Sequence, residues 1–171
     1  MQWIFGYGSL MWRPGFTFKA QSEARLFGHH RAFCVYSHVH RGTPARPGLV
    51  LGLDRGGSCR GVAFAVTDSN WQATLDYLRA REQATAIYLE REVPIVLAGG
   101  ARVAATTYMV DRGHHQYAGR LSLEDQLRFV RQGVGQSGAN PDYVKNTVGH
   151  LEEMGIVDGP LHDLLQLLNE A

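Results

Sequence analysis

From Trp3 to Val110 the chain is a succession of strand-length apolar runs cut by glycine-rich turns, with one helical segment set among them. No other feature restricts the fold as much, because strands delivered in this way readily curl into a small barrel. Trp3–Tyr7 reads as a short buried strand, and Gly8–Gly15 as a loop closed by a Pro-Gly turn. Ser22–Phe27 and Arg31–Ser37 read as two strands parted by Gly28. Gly48–Asp54 and Cys59–Thr67 read as a hairpin through Arg55-Gly-Gly-Ser58, and Tyr88–Ala98 with Val103–Val110 as another across Gly99-Gly100.

After Asp111 the character changes. A polar loop carries His114 and His115. Ser122 and Asp125 resemble a capping box that opens a helix to about Gln132. Asn140-Pro141 starts a second helix that runs to Met154 and is capped by Gly155, and Leu161–Asn169 forms a last amphipathic helix. The expected architecture is α+β: a small mixed β-barrel with packed helices and a helical C-terminal tail, in a single domain over residues 1–171.

Formal net charge is +1, from 17 Lys and Arg against 16 Asp and Glu, and the cations are scattered singly. Nucleic acid and anionic membrane both require clustered cations, so neither is an expected partner. No apolar run reaches the roughly 18 residues that a membrane-spanning helix needs. Cys34 and Cys59 lie within strand-like sequence and read as buried thiols of a reducing compartment. The opening Met-Gln-Trp-Ile-Phe-Gly lacks the basic region of a signal peptide, so a cytoplasmic protein is expected.

The chemistry centres on Glu82. Helix-capping residues open Asp68–Glu82, and Trp71, Leu75 and Leu78 then mark one helical stripe. Glu82 falls on the same stripe. A carboxylate there must be paired, be hydrogen-bonded, or sit at a pocket rim with a shifted pKa, and the last case supplies a proton-transfer group. Glu90 and Glu92 alternate with Leu89, Arg91 and Val93, and read as a wet strand face shared with Tyr88.

Gly6-Tyr-Gly-Ser-Leu-Met11 lacks the third glycine of a dinucleotide fingerprint, and Pro14-Gly15 prevents the helix that motif needs. What remains is a strand ending in a turn. There Gly6 and Gly8 permit positive φ, and backbone N–H groups can face a carboxylate or a developing oxyanion. Ser9 lacks the nucleophile-elbow context and reads as a hydrogen-bonding turn residue. The adjacent pairs His29-His30 and His114-His115 diverge on any regular element, and His38 and His40 lack a neighbouring carboxylate or cysteine, so no metal site is expected. In His40–Gly48 two prolines and two glycines stiffen a loop that presents Arg41 and Arg46, and a rigid arginine suits a substrate carboxylate.

Taken in order, Phe5-Gly-Tyr-Gly-Ser-Leu-Met-Trp-Arg-Pro-Gly15, His40-Arg-Gly-Thr-Pro-Ala-Arg-Pro-Gly48, Cys59-Arg-Gly-Val-Ala-Phe64, Arg81-Glu82 and Ser137-Gly-Ala-Asn-Pro-Asp-Tyr143 resemble the ChaC-type gamma-glutamylcyclotransferases, in their glutathione-specific branch. The resemblance extends from Trp3 to about Leu164. It implies a small β-barrel with packed helices and a lyase that needs no cofactor or metal. It also implies a small-molecule substrate, glutathione, cleaved to 5-oxoproline and cysteinylglycine. By the same resemblance Tyr7, Gly8, Ser9 and Leu10 bind the gamma-glutamyl portion, Glu82 is the catalytic acid/base, and Tyr88 lines the site. The chain departs from the family in carrying Ala86-Ile87 where glycines usually precede that tyrosine, which implies a stiffer loop after Glu82 and leaves substrate choice open. Other gamma-glutamyl amino acids or amines are the near alternative, and a non-enzymatic module for a small carboxylate the distant one.

Overall fold

The computed structural model describes residues 1–82 and 86–170. Five strands close a barrel in the order β1 (Gln2–Gly6), β3 (Gly48–Val66), β2 (Ala20–Ser37), β4 (Tyr88–Leu97) and β5 (Arg102–Val110). β1 runs antiparallel to β3, from Gln2 opposite Val66 to Gly6 opposite Val62. It meets β5 in parallel at Ile4 and Thr106, so the barrel is mixed. The β4–β5 hairpin lies where its Gly99-Gly100 turn placed it, with Tyr88 opposite Val110 and Val96 opposite Arg102.

Two expected breaks are absent. β2 passes through Gly28, and β3 passes through the Arg55–Ser58 segment read as a hairpin turn. Gly28, Gly56 and Gly57 all take positive φ, at 87°, 105° and 68°. Glycine adopts that conformation without a Cβ penalty, so it is accommodated here inside long strands instead of reversing the chain.

Between β3 and β4 runs α1 (Asp68–Glu82), with the bounds its periodicity gave. It buries Thr74, Leu75 and Leu78, while Trp71 is half-buried. Burying a leucine side chain stabilises by about 1.5–3 kcal/mol, so Leu75 and Leu78 suffice to fix this face. Arg79 and Arg81 occupy the last turn, where the helix dipole favours cations.

Chain contacts divide the molecule into two compact units. The first comprises Met1–Arg31 and Leu53–Asp111, with Ile4, Phe5, Leu26, Phe64, Leu78 and Tyr108 in its core. The second comprises Ala32–Gly52 and Arg112–Ala171. It contains α2 (Leu123–Gln132), the short ribbon of β6 (Val134–Gly135) and β7 (Gly138–Ala139), α3 (Asn140–Glu153) and α4 (Gly159–Asn169). Val130, Val144, Val148, Leu151, Leu161 and Leu164 form its core.

Ser122 caps α2 as its sequence implies, accepting from the Asp125 N–H at 3.1 Å. Asn140 behaves differently. It is fully buried and caps nothing; its side chain accepts from the Leu49 N–H at 2.8 Å and donates to the Leu49 carbonyl at 2.9 Å. One amide thus satisfies both backbone groups of a buried strand residue. A Cβ on Gly48 would lie 2.2 Å from the Arg41 carbonyl oxygen and 2.7 Å from Asn140 Oδ1, so this packing requires glycine there.

Candidate functional site

Tyr7 follows β1 and is buried, and Arg31 Nε donates to its carbonyl at 2.6 Å. The chain then makes a 3-10 turn over Ser9–Met11, closed by Met11 N–H to the Gly8 carbonyl at 2.9 Å. Neither Gly6 nor Gly8 has positive φ; Gly8 sits at −129°. Gly6 is needed for closeness instead, since a Cβ there would come 3.0 Å from Leu10 Cβ. Leu10 is itself buried, so any role for it in binding falls to its backbone. The first N–H groups of such a turn are not used by the turn's own hydrogen bonds.

Glu82 ends α1 with its side chain 18% exposed. Burial pushes its carboxyl above the usual carboxylate range, partly offset by the Arg81 charge. Its approach to Arg81 is long, 3.9 Å from Nε to Oε1. The rest of that guanidinium is turned toward the loop. Its NH2 group donates to Ser9 Oγ at 2.8 Å, and NH1 donates to the Arg13 and Pro14 carbonyls at 2.6 and 3.3 Å and to the Tyr77 hydroxyl at 3.1 Å. Arg81 therefore bridges Ser9 and Glu82. The sequence signal for this bridge was the Arg-Glu pair; its direction was not legible, because the loop it grips is distant along the chain.

Glu90 corrects an expectation. It does not sit on a wet face: Arg79 holds both its oxygens, Nε to Oε2 at 2.9 Å and NH2 to Oε1 at 2.8 Å. The Tyr108 hydroxyl donates to Oε2 at 2.9 Å. The Arg79 hydrogen bonds hold Glu90 below the usual carboxylate range, against a smaller effect of burial. Burial, then the Glu90 bond, then the charges of Glu90 and Glu82, push the Tyr108 phenol upward, so it remains a neutral donor. Glu92 is exposed.

Tyr88 opens β4 and is half-buried, following Ile87, which is fully buried. Ala86 has a φ of 56°, a left-handed conformation that glycine adopts freely. Residues 83–85 lie outside the described residues, and with them the expectation of a stiffer loop after Glu82.

Arg41 belongs to the second unit and is engaged there. Its N–H donates to Ser37 Oγ at 2.9 Å and its NH1 to the Ala139 carbonyl at 3.1 Å, while its guanidinium lies 5.4 Å from the Tyr143 ring centroid. Its loop holds it in place instead of presenting it to solvent; Arg46 is exposed. His114 and His115 do not diverge, since they occupy a loop and not a regular element; their rings stack at 4.3 Å, with His38 at 6.2 Å from His115. Among the described residues no group of three or more His, Cys, Asp or Glu is arranged to hold a metal. Cys34 and Cys59 are buried thiols. Among the described residues no helix is long and apolar enough to cross a membrane.

Known proteins match this arrangement. The family model described as ChaC-like protein matches residues 2–171. A glutathione-specific gamma-glutamylcyclotransferase of Escherichia coli (strain K12) is 34% identical over 163 residues, which cover 95% of this chain and 71% of the relative. A glutathione-specific gamma-glutamylcyclotransferase 1 of Danio rerio is 36% identical over 146 residues, 83% of this chain and 74% of the relative. A crystal structure of a gamma-glutamylcyclotransferase specific to glutathione from yeast superposes with a TM-score of 0.87 at 23% identity, covering 99% of this chain and 96% of that one, which shows a shared fold. With the barrel, the glycine-flanked turn and the helix-terminal Arg81-Glu82 pair all present, the chain belongs to the ChaC-like family.

Proposed function

We propose that this chain is a glutathione-specific gamma-glutamylcyclotransferase, with Glu82 as its acid/base and the Tyr7–Leu10 turn as its gamma-glutamyl subsite. The substrate's α-amine attacks its own γ-carbonyl carbon. A C–N bond closes the five-membered ring of 5-oxoproline, the peptide C–N bond breaks, and cysteinylglycine leaves with a proton on its new amine. No redox change occurs, and no nucleophile from the protein is required.

Holding one molecule in a folded conformation supplies much of the acceleration, since well-oriented intramolecular reactions reach effective molarities of about 10⁵–10⁸ M. What remains is proton transfer. The ammonium must lose a proton before attack, and the leaving amine must gain one, and a single carboxyl can do both in turn. An ordinary glutamate near 4.3 is poorly matched to an amine near about 8, a gap worth about 5 kcal/mol. The observation that carries the reading is therefore the state of Glu82: largely buried, raised above the ordinary range, and, among the described residues, approached by Arg81 only at 3.9 Å. Backbone N–H groups of Tyr7–Leu10 are suited to the tetrahedral oxyanion. Tyr88 lines the site in this reading. The reading includes a single catalytic domain and a cytoplasmic location, where glutathione is reduced and abundant thiols persist.

Ala86-Ile87 favours a second reading, in which the protein cyclises other gamma-glutamyl amino acids or amines. Parallel assays of glutathione and gamma-glutamyl-alanine for 5-oxoproline release test both. Faster turnover of gamma-glutamyl-alanine would replace the first reading with the second, and release from neither would leave a carboxylate-binding module.

A further inference from the structure

Arg81 makes more hydrogen bonds than a surface helix terminus requires, and among the described residues its loop partners lie on one segment. Ser9 Oγ, the Arg13 carbonyl and the Pro14 carbonyl all accept from its two terminal nitrogens. Tyr77, one turn earlier on α1, contacts NH1 from the helix side. Its nearest approach to Glu82 is through Nε, at 3.9 Å from Oε1. The two terminal nitrogens are thus committed to the loop, and a guanidinium so committed cannot also present its fork to the carboxylate beside it.

We propose that Arg81 is a positioning residue which fixes the Ser9–Pro14 loop beside Glu82, and that the loop's hold on its guanidinium keeps it from closing a bidentate ion pair with that carboxylate. This rests on Glu82 being the acid/base. Ser9 acquires a role that is neither nucleophilic nor merely turn-forming. As the acceptor for NH2, it holds the fork open. Were that bond lost, the nearest anionic acceptor for the guanidinium is Glu82 itself, and an Arg–carboxylate fork holds a carboxyl in its charged form. The base would then resemble Glu90, which Arg79 clamps through both oxygens.

Two substitutions therefore act on Glu82 in opposite directions. Ser9→Ala releases NH2 toward Glu82, so the titration of the Glu82 carboxyl moves to lower pH. Arg81→Met removes the cation, so that titration moves to higher pH, and the loosened loop raises KM by about tenfold, the worth of one charge-assisted hydrogen bond. The carboxyl is followed by ¹³C NMR of glutamate-labelled protein, with Glu82→Gln identifying the resonance, and thermal unfolding confirms that each variant is folded. Arg81→Lys serves in place of Arg81→Met if the latter does not fold. It keeps the charge but cannot span Ser9, Arg13 and Pro14, so KM rises while the titration shifts less. Opposite displacements in Ser9→Ala and Arg81→Met support the inference, even if glutathione is not the substrate, because this readout requires no turnover. Equal titrations in wild type and Ser9→Ala, or displacements of the same sign, overturn it. Absence of 5-oxoproline release from wild type would instead defeat the proposed activity.

Discussion

Glu82 and Glu90 bring the same carboxyl group into opposite environments. Glu82 is largely buried at the end of α1, lies 3.9 Å from Arg81, and is raised. Glu90 is gripped through both oxygens by Arg79 and is lowered. Where two carboxyls are pushed apart in this way, the raised one is suited to proton transfer and the lowered one to a fixed charge. The division of labour leads to distinct expectations for each.

Glu82→Gln keeps the size and removes the proposed base. Turnover should fall by about 10²–10⁴ with KM little changed. Burying an ionised carboxyl also costs stability. A group raised in the folded state binds its proton more tightly there than in the unfolded chain, so folding is favoured below the ordinary glutamate value and loses that advantage as pH rises through the raised value. Glu82→Gln should accordingly unfold at a higher temperature than wild type near pH 8, and the gap should close on acidification. Paired melts near pH 8 and at acidic pH check this.

The pH dependence of kcat/KM should carry an acidic limb above the ordinary glutamate value of about 4.3, because the proposed mechanism requires Glu82 to be ionised in the free enzyme to accept the proton. The limb should vanish in the residual activity of Glu82→Gln. An unchanged limb in that variant would assign it to another group.

Glu90→Gln removes a charge that Arg79 holds. The folded-state value is lowered, so the contribution to stability is present above the ordinary glutamate value and lost as pH falls through the lowered one. With Arg79 41% exposed, solvent screens the pair and the loss at neutral pH should be small, measured by urea unfolding. Activity should decline far less than in Glu82→Gln.

Asn140→Ala leaves the Leu49 N–H and carbonyl buried without their side-chain partner. Two such groups cost about 2–5 kcal/mol, and replacement by serine or aspartate should not restore both bonds. Denaturant midpoints of the three variants measure it.

Ala86 holds a left-handed φ. Relief of a strain of about 1–2 kcal/mol by Ala86→Gly is partly offset by the extra freedom glycine gains in the unfolded chain, so a net gain of up to about 1 kcal/mol is expected. Thermal unfolding checks the sign.

What could be read from the chain alone follows its range of interaction. α1 and the placement of Glu82 were legible because a helical stripe is a local pattern, and the capping Ser122 was legible for the same reason. The β4–β5 hairpin announced itself in a turn between adjacent strands. Gly28 and Gly56-Gly57 misled, since glycine signals a permissive φ and not the direction of the chain beyond it. The clamp of Arg79 on Glu90, the hold of Arg81 on Ser9 and the pairing of Asn140 with Leu49 join residues brought near only by the closed fold, and no periodicity encodes them.

Incubation of the purified protein with glutathione, with 5-oxoproline and cysteinylglycine quantified against Glu82→Gln, tests the central claim most directly. The account predicts equimolar release of both products by wild type and at least about a hundredfold less by the folded variant. Comparable release by the two proteins, or none by wild type, would contradict it.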